Sequence, residues 1–139
     1  PQGHSFDQAR SGYWNFLQPQ DKRSAHPGDS KAAALGRRLL HDHGHTQPFL
    51  AFLLQQVRPA DRVLDLGCGE GFYLGEIHRA TNCPATGLDL SVPAIDLAAR
   101  RYPAVQWIVA NADRQIPLAD SSFDLLLSIT SRRNPREFH

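Results

Sequence analysis

The stretch Val63-Leu64-Asp65-Leu66-Gly67-Cys68-Gly69-Glu70-Gly71 constrains this chain more than any other. A short apolar run carrying one aspartate enters three glycines at every second position, the pattern of a buried strand passing through a tight loop into a helix. Glycine lets backbone N–H groups approach a ligand where a Cβ would collide, and the helix that follows presents its positive end. A nucleotide-like ligand is expected there.

The spacing narrows the choice of ligand. A dinucleotide fingerprint needs a third glycine three residues after the second, and that place is Phe72, which argues against a nicotinamide-dependent oxidoreductase. The G-x-G-x-G spacing after an acidic strand end instead resembles motif I of the class I S-adenosylmethionine (SAM) methyltransferases. Three later features agree with it. Gly87-Leu88-Asp89 closes a second apolar strand at the distance where Rossmann-like folds put a ribose-binding carboxylate, Asn111-Ala112-Asp113 follows a third, and Phe123-Asp124-Leu125-Leu126-Leu127 forms a fourth.

At 139 residues the chain is one domain or part of one, long enough to bury a core. No apolar run approaches the roughly 18 to 20 residues of a membrane span, and no signal peptide opens the sequence, so a cytoplasmic location is expected. Cys68 and Cys83 do not make a disulfide framework, which fits a reducing compartment. The net charge of +1 hides an asymmetry: residues 1–58 carry seven Lys/Arg against four Asp/Glu, and residues 59–139 eight against ten. A basic front half suits a polyanionic partner, although a solvated surface accounts for such an imbalance equally well.

Residues 1–58 are expected to form a helical, substrate-recognising region, and residues 59–139 the nucleotide domain. Around Tyr13-Trp14-Asn15-Phe16-Leu17 no clean period emerges, so an extended or irregular segment packing its rings is expected. Asp29 or Ser30 can cap a helix running to about His43, with Gly44 after it and Ala34, Leu35, Leu39 and Leu40 as its buried stripe. Pro48 can start a second helix with Phe49, Phe52, Leu53 and Val57 as core, stopped by Pro59. From Asp61 the order becomes strand, helix, strand, implying a parallel α/β sheet of about four strands: 63–66, 85–89, 106–110 and 123–129. The helix after 85–89 is capped by Ser91 and turns Ala94, Ile95, Leu97 and Ala98 inward. Asn134-Pro135 reads as a helix start. A fourth strand with nothing beside it would be an exposed apolar edge, so the chain is expected either to be part of a longer protein or to have that edge covered by a partner such as a second copy in a homodimer.

Taken together, His4-Ser5-Phe6-Asp7, Gly12-Tyr13-Trp14-Asn15, Lys22-Arg23-Ser24, Pro27-Gly28-Asp29-Ser30, Arg37-Arg38, the glycine loop, Gly87-Leu88-Asp89-Leu90-Ser91 and Ala99-Arg100-Arg101-Tyr102-Pro103 resemble the bacterial 23S ribosomal RNA guanine-N1 methyltransferases, a family with a branch linked to macrolide resistance. The resemblance runs from His4 to about Ile129. It implies a Rossmann-like class I fold, SAM as cofactor and ribosomal RNA as partner. It further implies that Asp65, Gly67, Cys68 and Gly69 line the amino-acid end of SAM with Glu70, Gly71 and Phe72 close by. Asp89 would accept from both ribose hydroxyls, Leu90 would pack on the adenine, and Asn111, Ala112 and Asp113 would face its edge. Asp89 could instead cap the next helix, Glu70 could merely favour a helix start, and Asp113 is open between binding and structure.

The resemblance also aligns His4 with one ligand of a zinc module of three cysteines and a histidine. The cysteines are absent from this chain, so no metal is assigned. Two departures stand out: Thr46 replaces an aromatic in a turn near the cofactor, and Thr130-Ser131-Arg132-Arg133-Asn134-Pro135 replaces a Tyr-Ala-Pro-Cys-like segment facing the substrate. Lys22, Arg23, Arg37 and Arg38 are candidates for phosphate contact, with solvated charge the competing account of each, and Arg132 and Arg133 invite the same two readings. No residue identifies itself as the base that removes the guanine N1 proton. The expected activity is methyl transfer to that nitrogen. Rival readings are a methyltransferase acting on a small molecule or a protein, and a silent SAM- or RNA-binding domain.

Overall fold

A computed structural model describes residues 6–21, 27–131 and 136. The expectations placed on His4, Lys22, Arg23, Arg132, Arg133 and the helix start at Asn134-Pro135 lie outside these residues. The strands are β1 (Trp14–Asn15), β2 (Val63–Leu66), β3 (Ala85–Asp89), β4 (Gln106–Val109) and β5 (Leu125–Leu127). The helices are α1 (Lys31–Asp42), α2 (Gln47–Gln56), α3 (Phe72–Thr81) and α4 (Val92–Arg101). The strands pair in parallel in the order β1-β4-β3-β2-β5, so the chain winds outward from β2 through β3 and β4, then returns to β2's free side with β5. This is the Rossmann-like architecture of class I methyltransferases.

Every residue of β2 is buried, as a parallel sheet covered on both faces requires. Val63, Trp107 and Val109 pack with Phe72, Leu74, Ile77, Ile95 and Ala98 under the helices. Leu64, Leu66, Leu88 and Ile108 face the other way and are covered by Phe16, Ile116, Leu118 and Phe123. Trp107 is the largest fully buried side chain, and its indole occupies room left by absent side chains. A Cβ on Gly87 would lie 2.3 Å from it and one on Gly71 2.5 Å. Where β5 begins, the Arg62 guanidinium grips Asp124 through two nitrogens, at 2.9 and 3.1 Å, which sets β5 against β2.

Several helical expectations hold at the level of caps and fail at the level of faces. Ser30 and Ser91 cap α1 and α4 by accepting from the N–H groups of Ala33 and Ala94. Gly44 follows α1 at φ +81°. In α1, however, Leu35, Leu39 and Leu40 are exposed, and the buried residues are Ala34 and His41. The helix is turned by polar ties rather than by its leucines: Arg38 Nη2 donates to the Leu97 carbonyl at 3.1 Å, and Asp42 receives Arg101 at 2.8 Å. In α2 the core residues are Leu50 and Leu53, joined by Val57 just after the helix, while Phe49 and Phe52 stack on one another outside. In α4, Ala99 rather than Leu97 completes the buried face.

The sheet also differs from expectation at its two edges. The segment expected to be extended or irregular supplies a fifth strand, β1, parallel to Ile108 and Val109, with Phe16 N–H bonding to the Val109 carbonyl. At the other edge, β5 covers 125–127 instead of 123–129.

Candidate functional site

In open parallel sheets, ligands bind at the carboxyl ends of the strands where the winding reverses. Here that point is the end of β2, between β3 and β5. An open cleft of about 630 Å³ lies over it. Of the residues expected at a cofactor, Asp65, Gly67, Cys68, Gly69, Glu70, Asp89, Leu90, Ala112 and Asp113 stand on its wall. Gly71, Phe72 and Asn111 do not. Gly71 backs onto Trp107, Phe72 lies in the core against the His41 ring, and Asn111 is engaged with Asp21 and the Asp113 N–H.

The loop's shape follows from its glycines. All three have φ between +58° and +82°, where side chains are disfavoured. At Gly67 the space a Cβ would need is filled by Ser131, whose hydroxyl donates to the Leu66 carbonyl at 2.8 Å. Gly69 alone looks out over the cleft, with only the Arg37 guanidinium near it, at 3.6 Å from the Cβ position.

Asp89 fastens this loop. Its Oδ2 accepts the Gly69 N–H at 2.9 Å and its Oδ1 the Ser91 N–H at 2.8 Å, so it holds the glycine turn and the start of α4 together. The helix-capping alternative is therefore real, yet an ionised carboxylate has about four acceptor positions and these bonds take two. Burial pushes its carboxyl above the usual range, while the same two N–H groups restrain the rise.

Asp65 is stranger. It is 2% exposed, and its Oδ1 has no hydrogen-bond partner. Burial pushes its carboxyl up to about 7, with the charges of Asp89 and Glu70 adding to the effect. A partnerless buried carboxylate oxygen on a cleft wall is what a cationic ligand would satisfy.

Glu70 shares a buried contact with His41, Oε1 to Nε2 at 3.2 Å, while His41 Nδ1 meets the Thr46 hydroxyl at 2.7 Å. Burial drives Glu70 up to about 7 and His41 down from its ordinary value. Burial thus disfavours both charges, and the two buried groups meet in a single Oε1–Nε2 contact. Thr46 occupies the turn position where an aromatic was expected and serves to orient His41. Burial and the neighbouring carboxylates also hold the Cys68 thiol protonated, well above its ordinary range.

The front of the chain contributes residues that sequence reading did not assign to the cleft, Gly28, Asp29, Arg37 and His41, and α3 adds Tyr73. Asp29 is tied in by Ser91, whose hydroxyl donates to its carbonyl at 2.6 Å. Arg37, expected on a phosphate-binding surface, is on the cleft wall, and Arg38 is half-buried and occupied with Leu97. A Ser after a strand-end Asp was the one available signal for the Asp29 tie; nothing in the sequence told which way Arg37 would turn. Among the described residues no group of three His, Cys, Asp or Glu could hold a metal ion, and no helix is long and apolar enough to cross a membrane.

Residues 63–137 match the family profile described as "Methyltransferase domain". The chain belongs to this methyltransferase-domain family. It is 35% identical over 97% of its length to the 23S rRNA (guanine(748)-N(1))-methyltransferase of Streptomyces fradiae, of which it covers 50%. Relatives from Micromonospora griseorubida and Bacillus subtilis strain 168, each with a provisional 23S rRNA (guanine-N(1)-)-methyltransferase name, are 34% identical over 99% of the chain. The chain spans about half the length of these curated relatives. Among solved structures, a TehB-like SAM-dependent methyltransferase from Corynebacterium glutamicum superposes with a TM-score of 0.59 at 27% identity, covering 71% of this chain and 53% of that one. A SAM-dependent methyltransferase from Thiobacillus denitrificans, in complex with S-adenosyl-L-homocysteine, gives 0.52 at 30% identity, covering 59% and 36%.

Proposed function

We propose that this protein is a SAM-dependent methyltransferase that modifies N1 of a guanine in 23S ribosomal RNA. The observation that carries the cofactor is the partnerless Asp65 Oδ1 beside the glycine loop and Asp89. SAM brings two positive groups, an ammonium and a sulfonium, and a ribose with two adjacent hydroxyls. A buried carboxylate without a partner fits a positive group, and Asp89's remaining acceptor positions fit a diol. Leu90 and Ala112 offer apolar wall for a base, and Asp113 a polar edge. The residues present therefore fit the cofactor. The substrate rests on the rRNA methyltransferase relatives, which match nearly the whole of this chain.

When bound, SAM supplies an electrophilic methyl group for in-line displacement. The chain's part is to hold the donor still: Asp65 and the loop fix the amino-acid end, and Asp89 fixes the ribose. Guanine N1 is reachable only when the base is unpaired or turned out of its stack. Residues 1–58 keep their assignment to substrate recognition in this proposal, although β1 and α1 also build the sheet and the cleft. A cytoplasmic location follows from a ribosomal substrate. A homodimer is the remaining part of the proposal: β5 is an edge strand among the described residues, with Leu126 38% exposed.

The test is methyl transfer from labelled SAM to 23S rRNA stripped of proteins, read with reverse transcription, since a methyl on N1 blocks base pairing. Label in the RNA and a stop at one guanine are expected. Label entering metabolite or protein fractions, with the RNA unmodified, would overturn the substrate.

A further inference from the structure

The cleft wall is lopsided in charge. Asp29, Asp65, Glu70, Asp89 and Asp113 all stand on it, and among its described residues Arg37 is the one cation, His41 being held neutral by burial. The proposed ligand is lopsided in the opposite sense, with two positive groups and a single α-carboxylate. Placed against an ionised wall carboxylate, that anion would meet like charge. Among the described residues of the wall, only Arg37 offers it a side chain of opposite charge.

The geometry of Arg37 suits the task. Its Nη2 and Nε lie 3.6 and 3.8 Å from the Cβ position of Gly69, so the guanidinium overhangs the middle of the glycine loop, at the end of the cleft where Glu70 stands. It is also oriented. Nη2 donates to Asp29 Oδ2 at 2.6 Å, and Asp29 is in turn held through its carbonyl by the fully buried Ser91. A guanidinium has five N–H donors in a planar fork, so one bond to Asp29 leaves donors for a second carboxylate.

We infer that Arg37 holds the α-carboxylate at the amino-acid end of the sulfonium nucleoside, and is the residue by which the cleft tells a ligand bearing that carboxylate from one lacking it. This rests on the SAM reading above. It also moves Arg37 from the RNA surface, where its charge alone suggested placing it, to the cofactor.

The test is calorimetric binding of two ligands to the protein and to Arg37→Met. One ligand is SAM; the other is its decarboxylated form, identical but for the α-carboxylate. The unmodified protein is expected to favour SAM by about 10-fold or more, the size of a charge-assisted hydrogen bond. Arg37→Met should lose that factor for SAM and change by less than about 2-fold for the decarboxylated ligand, with Arg37→Lys in between. An unchanged melting temperature without ligand verifies that the variant folds. Equal losses for both ligands, or none for either, would overturn the assignment while leaving the SAM reading intact. Failure of the unmodified protein to bind either ligand would overturn the SAM reading and this inference with it.

Discussion

Asp65 concentrates the conflict between stability and binding in one side chain. Its carboxyl titrates at about 7 in the fold against 3.8 ordinarily, so between those values the folded chain holds a proton that the unfolded chain has released. Its contribution therefore favours the fold most below pH 3.8, diminishes as pH rises to about 7, and is a constant cost above that. Asp65→Asn should raise the stability of the ligand-free protein at pH 8 by about 1–4 kcal/mol, read by denaturant unfolding, while weakening SAM binding at least tenfold. For the same reason, SAM affinity in the unmodified protein should climb from pH 5.5 to about pH 7.5 and then level off. Below pH 7, binding should release protons, visible as a dependence of the calorimetric heat on the buffer's ionisation enthalpy. The positions of Asp65 and Asp89 were legible because a strand end and a glycine turn fix where such residues stand. The unpaired state of Asp65 was not, since it depends on every neighbour that could have donated to it. The place of Arg37 on the cleft wall was not legible either, because net charge counts an arginine without telling which side of its helix faces a cleft.

At the scale of elements, two helical glycines should respond to alanine in opposite ways. Gly36 in α1 has nothing within 4 Å of its Cβ position, so Gly36→Ala should stabilise the protein by about 0.5–1 kcal/mol through helix propensity. Gly75 in α3 has the Tyr102 ring 2.4 Å from that position, and Gly75→Ala should destabilise by about 1–3 kcal/mol despite the same gain in propensity. Thermal or urea unfolding of the pair checks both signs. Strand and helix order, caps and approximate bounds from Val63 to Val109 could all be read from local pattern, because turns and caps are local chemistry. The faces of α1 and α2 could not. A row of leucines shows which side of a helix is apolar, whereas in α1 the side that packs inward is that of Ala34 and His41, and Leu35, Leu39 and Leu40 remain exposed. β1 was legible only as an extended or irregular segment, because two residues carry no period and their partners lie more than ninety positions away at Ile108 and Val109.

For the whole molecule, the cleft couples ligand to fold. A ligand at 100 times its dissociation constant should add about 2.7 kcal/mol to stability, and S-adenosyl-L-homocysteine at that level is expected to raise the melting temperature by several degrees. An unchanged midpoint at saturating ligand would contradict the site. The chain of contacts from Gly69 through Asp89 and Ser91 to Asp29 gives this coupling a direction. Because one carboxylate both positions the turn beneath the proposed nucleoside site and starts the helix whose capping hydroxyl anchors the front segment, occupancy at the sugar should be felt at residues 28–30. Amide exchange at residues 28–30 should slow when the pocket is filled.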